Sequence, residues 1–412
     1  MYLKRKYYLE IIRPYYEVDL IKVITGVRRC GKSVLLKTIQ EEIEASGISP
    51  DHIIFINLED LDYEYIKTAS DLNADIKARI CDDEKYYIFL DEIQHVENFE
   101  KALASFRAAL NCSLFVTGSN SALLSGELAT LLTGRTVEFE ILPFSFSEMK
   151  EYYELTGRKY SDNLIYDYIK WGGFPLRFEF KDEDSTRRYL ENLYTGIVGR
   201  DIAYKGSSTD KKTFLEISLY ILANAGMEFS AKNIVNYYKS NNKTGTVSER
   251  TIYNYIEKMK KAFLIHPVKK YDISGKSALK NNEKFYAVDT GFRIINTNTI
   301  NYEDTFFLEN IVYNELLFQG FQVYIGKTYK GEVDFIAIKG AKKCFIQVTY
   351  LMCDGDRPNE AAIEREFGAY KPVSDASPKY VMSLDKIDMS RDGIIHLNIE
   401  DFLLHKEKLM LS

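Results

Sequence analysis

The stretch that most constrains this chain is "VITGVRRCGKSVLLKTI", residues 23–39. Residues 21–25 are apolar or β-branched around one lysine and read as a buried strand. Residues 33–45 read as a helix, with Val34, Leu35, Ile39 and Ile43 at helical spacing. Between them stands G-x-x-x-x-G-K-S, that is Gly26, Gly31, Lys32 and Ser33. A loop that merely joined two elements needs none of these offsets. A phosphate-binding loop needs them all, because glycine lets backbone N–H groups converge on phosphate oxygens with no Cβ in the way. The start of the following helix adds the positive end of its dipole. Strand, glycine loop and helix in that order are the context in which the motif carries meaning. Lys32 is then expected to reach the β- and γ-phosphates of ATP, and the Ser33 hydroxyl to ligate Mg²⁺. Val27, Cys30 and Val34 complete the run that lines the nucleotide. Arg28 and Arg29 belong to the same run and either steer nucleotide or are solvated.

Two later segments fit the same chemistry. "KYYIFLDEIQHV", residues 85–96, is an apolar strand that ends in Asp91-Glu92. A carboxylate at the end of a neighbouring strand holds Mg²⁺, and the next acid can activate water. Asp91 is therefore expected at the metal and Glu92 as general base, a role worth about 10²–10⁴-fold in rate. "CSLFVTGSNSALL", residues 112–124, is a third strand. Its polar end (Thr117, Ser119, Asn120) either places Ser119 between nucleotide and water or caps the next helix. In "LLTGRTVEFEILPFSFSEM", residues 131–149, Arg135 is either an arginine finger or a surface arginine after a turn glycine. A finger acting across a subunit interface is worth about 10³–10⁵ in rate, and it would make the protein a homo-oligomer.

At 412 residues the chain exceeds one core, so about two to four domains are expected. Strands near 21–25, 53–58, 86–90, 113–117 and 136–141 alternate with helical patterns at 33–45, 70–80 and 98–110, the pattern of an α/β parallel sheet. This gives a nucleotide-binding core over 1–146. Residues 147–205 read as a helical lid broken at "WGGFP" (171–175), with Arg177, Arg187, Arg188 and Arg200 as candidate phosphate sensors. The formal net charge is only −6, yet 15 Lys and Arg face 8 Asp and Glu between Gly206 and Ile295. In that basic segment three helices precede a hairpin, and Ser248 is a good N-cap for a helix with apolar Ile252, Tyr255, Ile256 and Met259. The pattern over 206–300 is that of a winged helix. Arg250, Asn254, Lys258, Lys260, Lys261, Lys276, Lys280 and Lys284 are candidate contacts to duplex DNA. Packing between domains is the alternative use, and Glu249 and Glu257 on the same helix favour it.

Residues 301–412 form a further α/β unit in α-β-β-β-α-β order. Metal-dependent nucleases place an acid on one strand and Glu/Gln-x-Lys on the next, with i and i+2 on one face. Here Glu309, Glu332, Asp334 and Gln347 can gather, but Thr349 fills the lysine slot. A scaffold without the cleavage chemistry is the plainer expectation. Five scattered cysteines with no CxxC spacing argue for reduced thiols, hence a cytoplasmic protein. No apolar run approaches the roughly 20 residues that span a bilayer.

Taken together, "TGVRRCGKS", "IFLDEIQ", "VTGSNSALLSGELATLLTGR", "WGGFP", "GIVGRDI", "GEVDF" and "IQVTY" resemble a large prokaryotic group of AAA-superfamily P-loop ATPases with a C-terminal domain of unknown function. The resemblance spans nearly the whole chain. It implies an AAA-type core, a winged-helix middle and a restriction-endonuclease-like C-terminal domain. Its P-loop falls on Gly26, Gly31, Lys32 and Ser33, its Walker B pair on Asp91 and Glu92, and its Gly-Arg motif on Gly134 and Arg135. The expected activity is Mg²⁺-dependent ATP hydrolysis. The rival readings are a nucleotide-regulated DNA-binding switch with negligible turnover and an ATP-gated nuclease.

Overall fold

The computed structural model describes residues 2–120, 132–160, 163–203, 210–240, 247–275, 277–295, 305–355, 357–406 and 409–411, with the backbone alone over 277–283. Residues 121–131 of the expected Gly-Arg segment, Lys276 and the Lys280 side chain lie outside the described residues. The chain divides into two compact units, Met1–Pro143 with Lys261–Phe263, and Phe144–Lys260 with Leu264–Ser412.

In the first unit five strands form one sheet: β1 (Ile21–Thr25), β2 (Ile53–Asn57), β3 (Tyr86–Asp91), β4 (Cys112–Thr117) and β5 (Thr136–Glu140). Their order is β2-β3-β4-β1-β5, and every pairing is parallel. Every position of β1 and β3 is buried, as expected of strands covered on both faces. Helices α1 (Lys6–Ile12), α2 (Lys32–Ala45), α3 (Ala69–Arg79) and α4 (Phe99–Ala109) accompany the sheet. Thr68 and Asp71 close a capping box at the start of α3, which satisfies backbone donors the helix cannot pair itself. Ile56, Ile88, Leu90, Leu103 and Phe106 pack in the core. Asn57 lies opposite Asp91, Leu90 opposite Val116 and Ile24 opposite Thr117. The carboxyl ends of β1, β3 and β4 therefore share one edge, with β4 between the other two.

The second unit opens with α5 (Phe146–Thr156), α6 (Leu164–Trp171) and α7 (Glu183–Ile197), the last running into a wide turn at Val198–Ile202. The break expected at "WGGFP" is a turn locked by a distant acid. Asp289 accepts from the N–H groups of Gly173 at 2.7 Å and Gly291 at 2.8 Å. Gly172 has φ +69°, and a Cβ there would stand 1.7 Å from Asp289 Oδ1. Arg177 is buried in this turn, donating to Gly172 O at 2.7 Å and to Asp167 at 2.9 Å. Of the arginines expected as phosphate sensors, this one is engaged in holding the turn.

Three helices follow, α8 (Lys211–Ala223), α9 (Ala231–Ser240) and α10 (Glu249–Lys261), then the hairpin β6 (Ile265–Asp272) and β7 (Ser277–Ala287). On α10 the buried face is Ile252, Tyr255, Ile256 and Met259, as the spacing requires, and the Thr251 N–H donates to Ser248 Oγ at 3.1 Å. A bridge between Glu228 and Lys284 ties the α8–α9 connection to β7. The last third supplies α11 (Thr305–Phe318), β8 (Gln322–Lys327), β9 (Glu332–Lys339), β10 (Lys342–Val348), the two-residue pair β11 (Cys353–Asp354) and β12 (Arg357–Pro358), α12 (Glu360–Gly368), β13 (Lys379–Ser383) and β14 (Ile394–Asn398). One seven-stranded sheet runs β14-β13-β10-β9-β8-β6-β7. The hairpin of the 206–300 segment and the strands of the 301–412 segment thus belong to a single sheet, joined where β6 pairs with β8 in parallel.

Candidate functional site

The glycine loop connects the carboxyl end of β1 to the first residue of α2. Gly26 takes φ +138°, and a Cβ on it would lie 2.2 Å from Ile141 O, so only glycine fits. Gly31 takes φ +108° at the start of α2, and Arg29, which is exposed, takes φ +69°. Val27 and Cys30 are buried, whereas Ser33 and Val34 are exposed at the helix start. Lys32 is 3% exposed; its Nζ donates to Gly26 O at 3.0 Å and Val27 O at 3.3 Å and stands 4.0 Å from Glu92 Oε1.

Asp91 and Glu92 are both buried at the end of β3. Thr117 Oγ1 donates to Asp91 Oδ1 and accepts the Glu92 N–H at 2.9 Å. Burial pushes the Asp91 carboxyl above its ordinary value against the hydroxyls of Thr117 and Ser33, which favour the anion. Ser33 and Asp91 are therefore neighbours, and both offer the oxygen donors that Mg²⁺ prefers. Glu92 sits at φ +55°, a backbone state that is costly for a side chain of this kind. Ser119 Oγ donates to its Oε2 at 3.2 Å, and Gln94 Nε2 donates to the same oxygen. Burial raises Glu92, but Lys32, Gln94, Arg28 and Ser119 outweigh it and hold the carboxyl below its ordinary value. Glu92 thus stays an anion at neutral pH, as a proton acceptor must.

Arg28 pairs with Glu59 at 3.2 Å on the segment that follows β2. Arg135 lies away from the glycine loop of its own chain. It is exposed, and its carbonyl accepts the Ile21 N–H at 2.9 Å, at the amino end of β1. The P-loop leaves the other end of that strand, roughly 16 Å away at about 3.3 Å per residue. The two ends cannot be bridged by one side chain. Sequence reasoning missed two contributors. Gln94 carries a signal only in hindsight, two residues beyond Glu92 in a short helical turn. Arg5 carries none: it is buried and donates to Cys30 O at 3.3 Å, Leu142 O at 2.7 Å and Pro143 O at 3.2 Å, tying the amino-terminal segment to the glycine loop.

In the second unit the expected acidic group gathers in part. The Val348 N–H donates to Asp334 Oδ2 at 2.8 Å, and the Asp334 N–H to Gln347 Oε1 at 3.3 Å. Tyr286 donates to the buried Glu309 at 3.0 Å. Desolvation pushes both Glu309 and Asp334 upward, and the charge of Asp334 adds to the rise of Glu309. Glu332 joins the group through its cations, paired with Lys270 at 2.5 Å and Lys284 at 3.0 Å, and its charge adds to the rise of Asp334. Lys284 of the hairpin, expected on a DNA face, is instead buried beside these acids. Thr349 is buried, with its N–H on Met382 O at 2.9 Å. Among the described residues no three His, Cys, Asp or Glu side chains are arranged to hold a metal ion. Among the same residues no helix is long and apolar enough to cross a membrane.

The parallel sheet, the glycine loop and the acids at the end of β3 are the arrangement of a P-loop nucleotide-binding fold, and residues 19–150 match a family model described as an AAA domain. Residues 162–300 match a model described as a domain of unknown function (DUF8612). A protein of Haemophilus influenzae, described as uncharacterized, is 37% identical over 84% of this chain and 87% of its own length. A Methanocaldococcus jannaschii protein, uncharacterized protein MJ1544, is 32% identical over 93% of this chain and 83% of its own. The chain belongs to the family these proteins represent. Among solved structures, the ORC2 protein of Aeropyrum pernix, in ADPNP–ADP complexes, is similar over 64% of this chain and 84% of that one, at 10% identity and a TM-score of 0.38.

Proposed function

We propose that this chain binds ATP together with Mg²⁺ in the pocket around Gly26–Val34 and hydrolyses the γ-phosphate. The reading rests on the convergence of Lys32, Asp91, Glu92 and Ser119 on one sheet edge beside the glycine loop. Lys32 now bonds loop carbonyls, which are weaker partners for an ammonium than phosphate oxygens, so nucleotide draws it outward. Ser33 and Asp91 hold the metal, which neutralises phosphate charge when bound. Glu92 accepts the proton of the attacking water, while Ser119 and Gln94 fix the orientation of its carboxylate. Arg135, at the far end of β1, serves a neighbouring subunit's nucleotide if it serves any, and that role requires a homo-oligomer.

Steady-state phosphate release with Mg²⁺ tests this reading. Wild type turns over, and Glu92→Gln loses about 10²–10⁴-fold in kcat while still binding ATP. ATP that is bound but released intact by wild type means a switch protein, and the hydrolytic assignment falls.

A second reading is favoured by α10, whose exposed residues include Arg250, Tyr253 and Asn254 opposite its buried apolar face. Such a strip suits a nucleic-acid groove. Lys258 and Lys260 are half-buried, and Lys260 pairs with Glu257 at 2.9 Å, so they contribute less than the sequence suggests. Duplex DNA should bind in a salt-dependent manner and weaken on Arg250→Glu; no binding at about 50 mM salt excludes the reading.

A further inference from the structure

Between the end of α8, the start of α9 and β7 lies a cavity of about 220 Å³. It serves neither the nucleotide pocket nor the strip on α10. Its walls include the rings of Tyr220, Phe229 and Phe285, the amides of Asn224 and Asn233, and Ser230. We propose that this cavity holds one unstacked base of a single-stranded nucleic acid whose backbone follows α9. The proposal rests on the nucleic-acid reading above and is independent of ATP hydrolysis.

Four observations point the same way. First, the rings form an ordered platform. Tyr220 stacks on Tyr237 with centroids 4.3 Å apart, and Phe229 meets Phe285 edge-on at 5.1 Å. Every base has a π-face, so aromatic stacking is the sequence-tolerant way to hold single strands. Second, the platform continues to the surface through large exposed rings. Tyr237 is 46% exposed, and Tyr253, whose ring lies 6.0 Å from that of Phe229, is 54% exposed. Third, the polar lining brings the Asn233 amide and the Asn224 side-chain oxygen to the cavity, the Asn224 Nδ2 being held by Tyr220 O at 2.7 Å, and amide groups match base edges. Ordinary small-molecule pockets span about 300–1,000 Å³, and this smaller space suits a single ring system. Fourth, the charge suits a phosphate chain. Helix α9 ("AKNIVNYYKS") carries no acid and exposes Lys232 and Lys239. The Lys260 ammonium lies 5.8 Å over the Phe285 ring. The one acid in the cavity wall, Glu228, pairs at 3.1 Å with Lys270, which it shares with Glu332.

The test uses the full chain without nucleotide, at about 50 mM salt, and follows fluorescence anisotropy of a labelled oligothymidylate of about twelve residues. The control is an abasic strand of the same length. The proposal predicts binding at least about tenfold tighter for the base-bearing strand, since one stacked base supplies that much. It also predicts that Tyr237→Ala and Asn233→Ala, both at exposed positions, each remove most of the difference while leaving the circular-dichroism melt and ATP binding unchanged. Equal affinity for the two strands, or full binding by both variants, overturns it. Duplex binding that stays sensitive to Arg250→Glu in that event leaves the broader nucleic-acid reading standing and removes only the base pocket.

Discussion

At the scale of single residues, Lys32 and Glu92 stand 4.0 Å apart at the mouth of the glycine loop. Their surroundings explain why each is replaceable only at a cost. Gly26→Ala would drive a Cβ to within 2.2 Å of a backbone oxygen, so the loop must shift. Nucleotide affinity should fall at least about tenfold, and the melting temperature should fall as well, since the clash is with backbone at a positive φ. Gln94→Ala removes one of two donors on Glu92 Oε2 and should lower kcat by about tenfold with little change in ATP affinity; an equal fall in affinity would mean a packing role instead. Asp334 gives a prediction in the other unit. Its folded-state pKa is raised, as is that of Glu309, so the folded protein holds their protons more tightly than the unfolded chain does. The stabilising protonation is complete below the ordinary carboxylate range and is lost as pH rises through the raised values. Asp334→Asn should therefore gain in melting temperature over wild type as pH is raised from about 4 to about 8. A variant that loses melting temperature relative to wild type over that range contradicts the assignment.

At the scale of elements, the turn at Gly172–Gly173 and the β6–β8 pairing decide how the second unit holds together. Gly172→Ala combines a positive φ with a clash 1.7 Å from Asp289. It should destabilise the unit by about 2 kcal/mol or more, seen in chemical denaturation. A fragment ending near residue 300 would strip β8 from β6 and leave an unpaired edge. Such edges recruit other chains, so this fragment should aggregate where the full protein does not. Much of this layer was legible in the sequence. The five core strands and the helices after Lys32, Ala69 and Phe99 fall where apolar period and glycine spacing put them, because local pattern and burial agree there. The helix and three strands that open the last third were readable for the same reason, whereas the two-residue pair β11–β12 was not. The shared sheet was not, since parallel pairing between residues about 55 apart leaves no local trace. Nor was the Asp289–Gly173 lock, which joins segments more than a hundred residues apart. Around the glycine loop the motif spacing marked Lys32, Asp91 and Glu92 as candidates, whereas Gln94 and Arg5 act through folded proximity alone.

At the scale of the whole molecule, Arg135 poses the question of assembly. Its place at the amino end of β1 excludes it from its own pocket, so a catalytic role for it requires a second copy. Light scattering with a non-hydrolysable ATP analogue should show association, and Arg135→Ala should then lower turnover without lowering ATP affinity. A monomer under every condition removes Arg135 from the mechanism and leaves the pocket intact. The measurement that tests the pocket itself most directly is calorimetric titration of the full chain with ATP and Mg²⁺, wild type beside Lys32→Ala. The account predicts one site per chain in wild type and a loss of about 100-fold or more in the variant, because a phosphate oxygen is then left without its cation. Binding of equal strength in both proteins, or none in wild type, would contradict it.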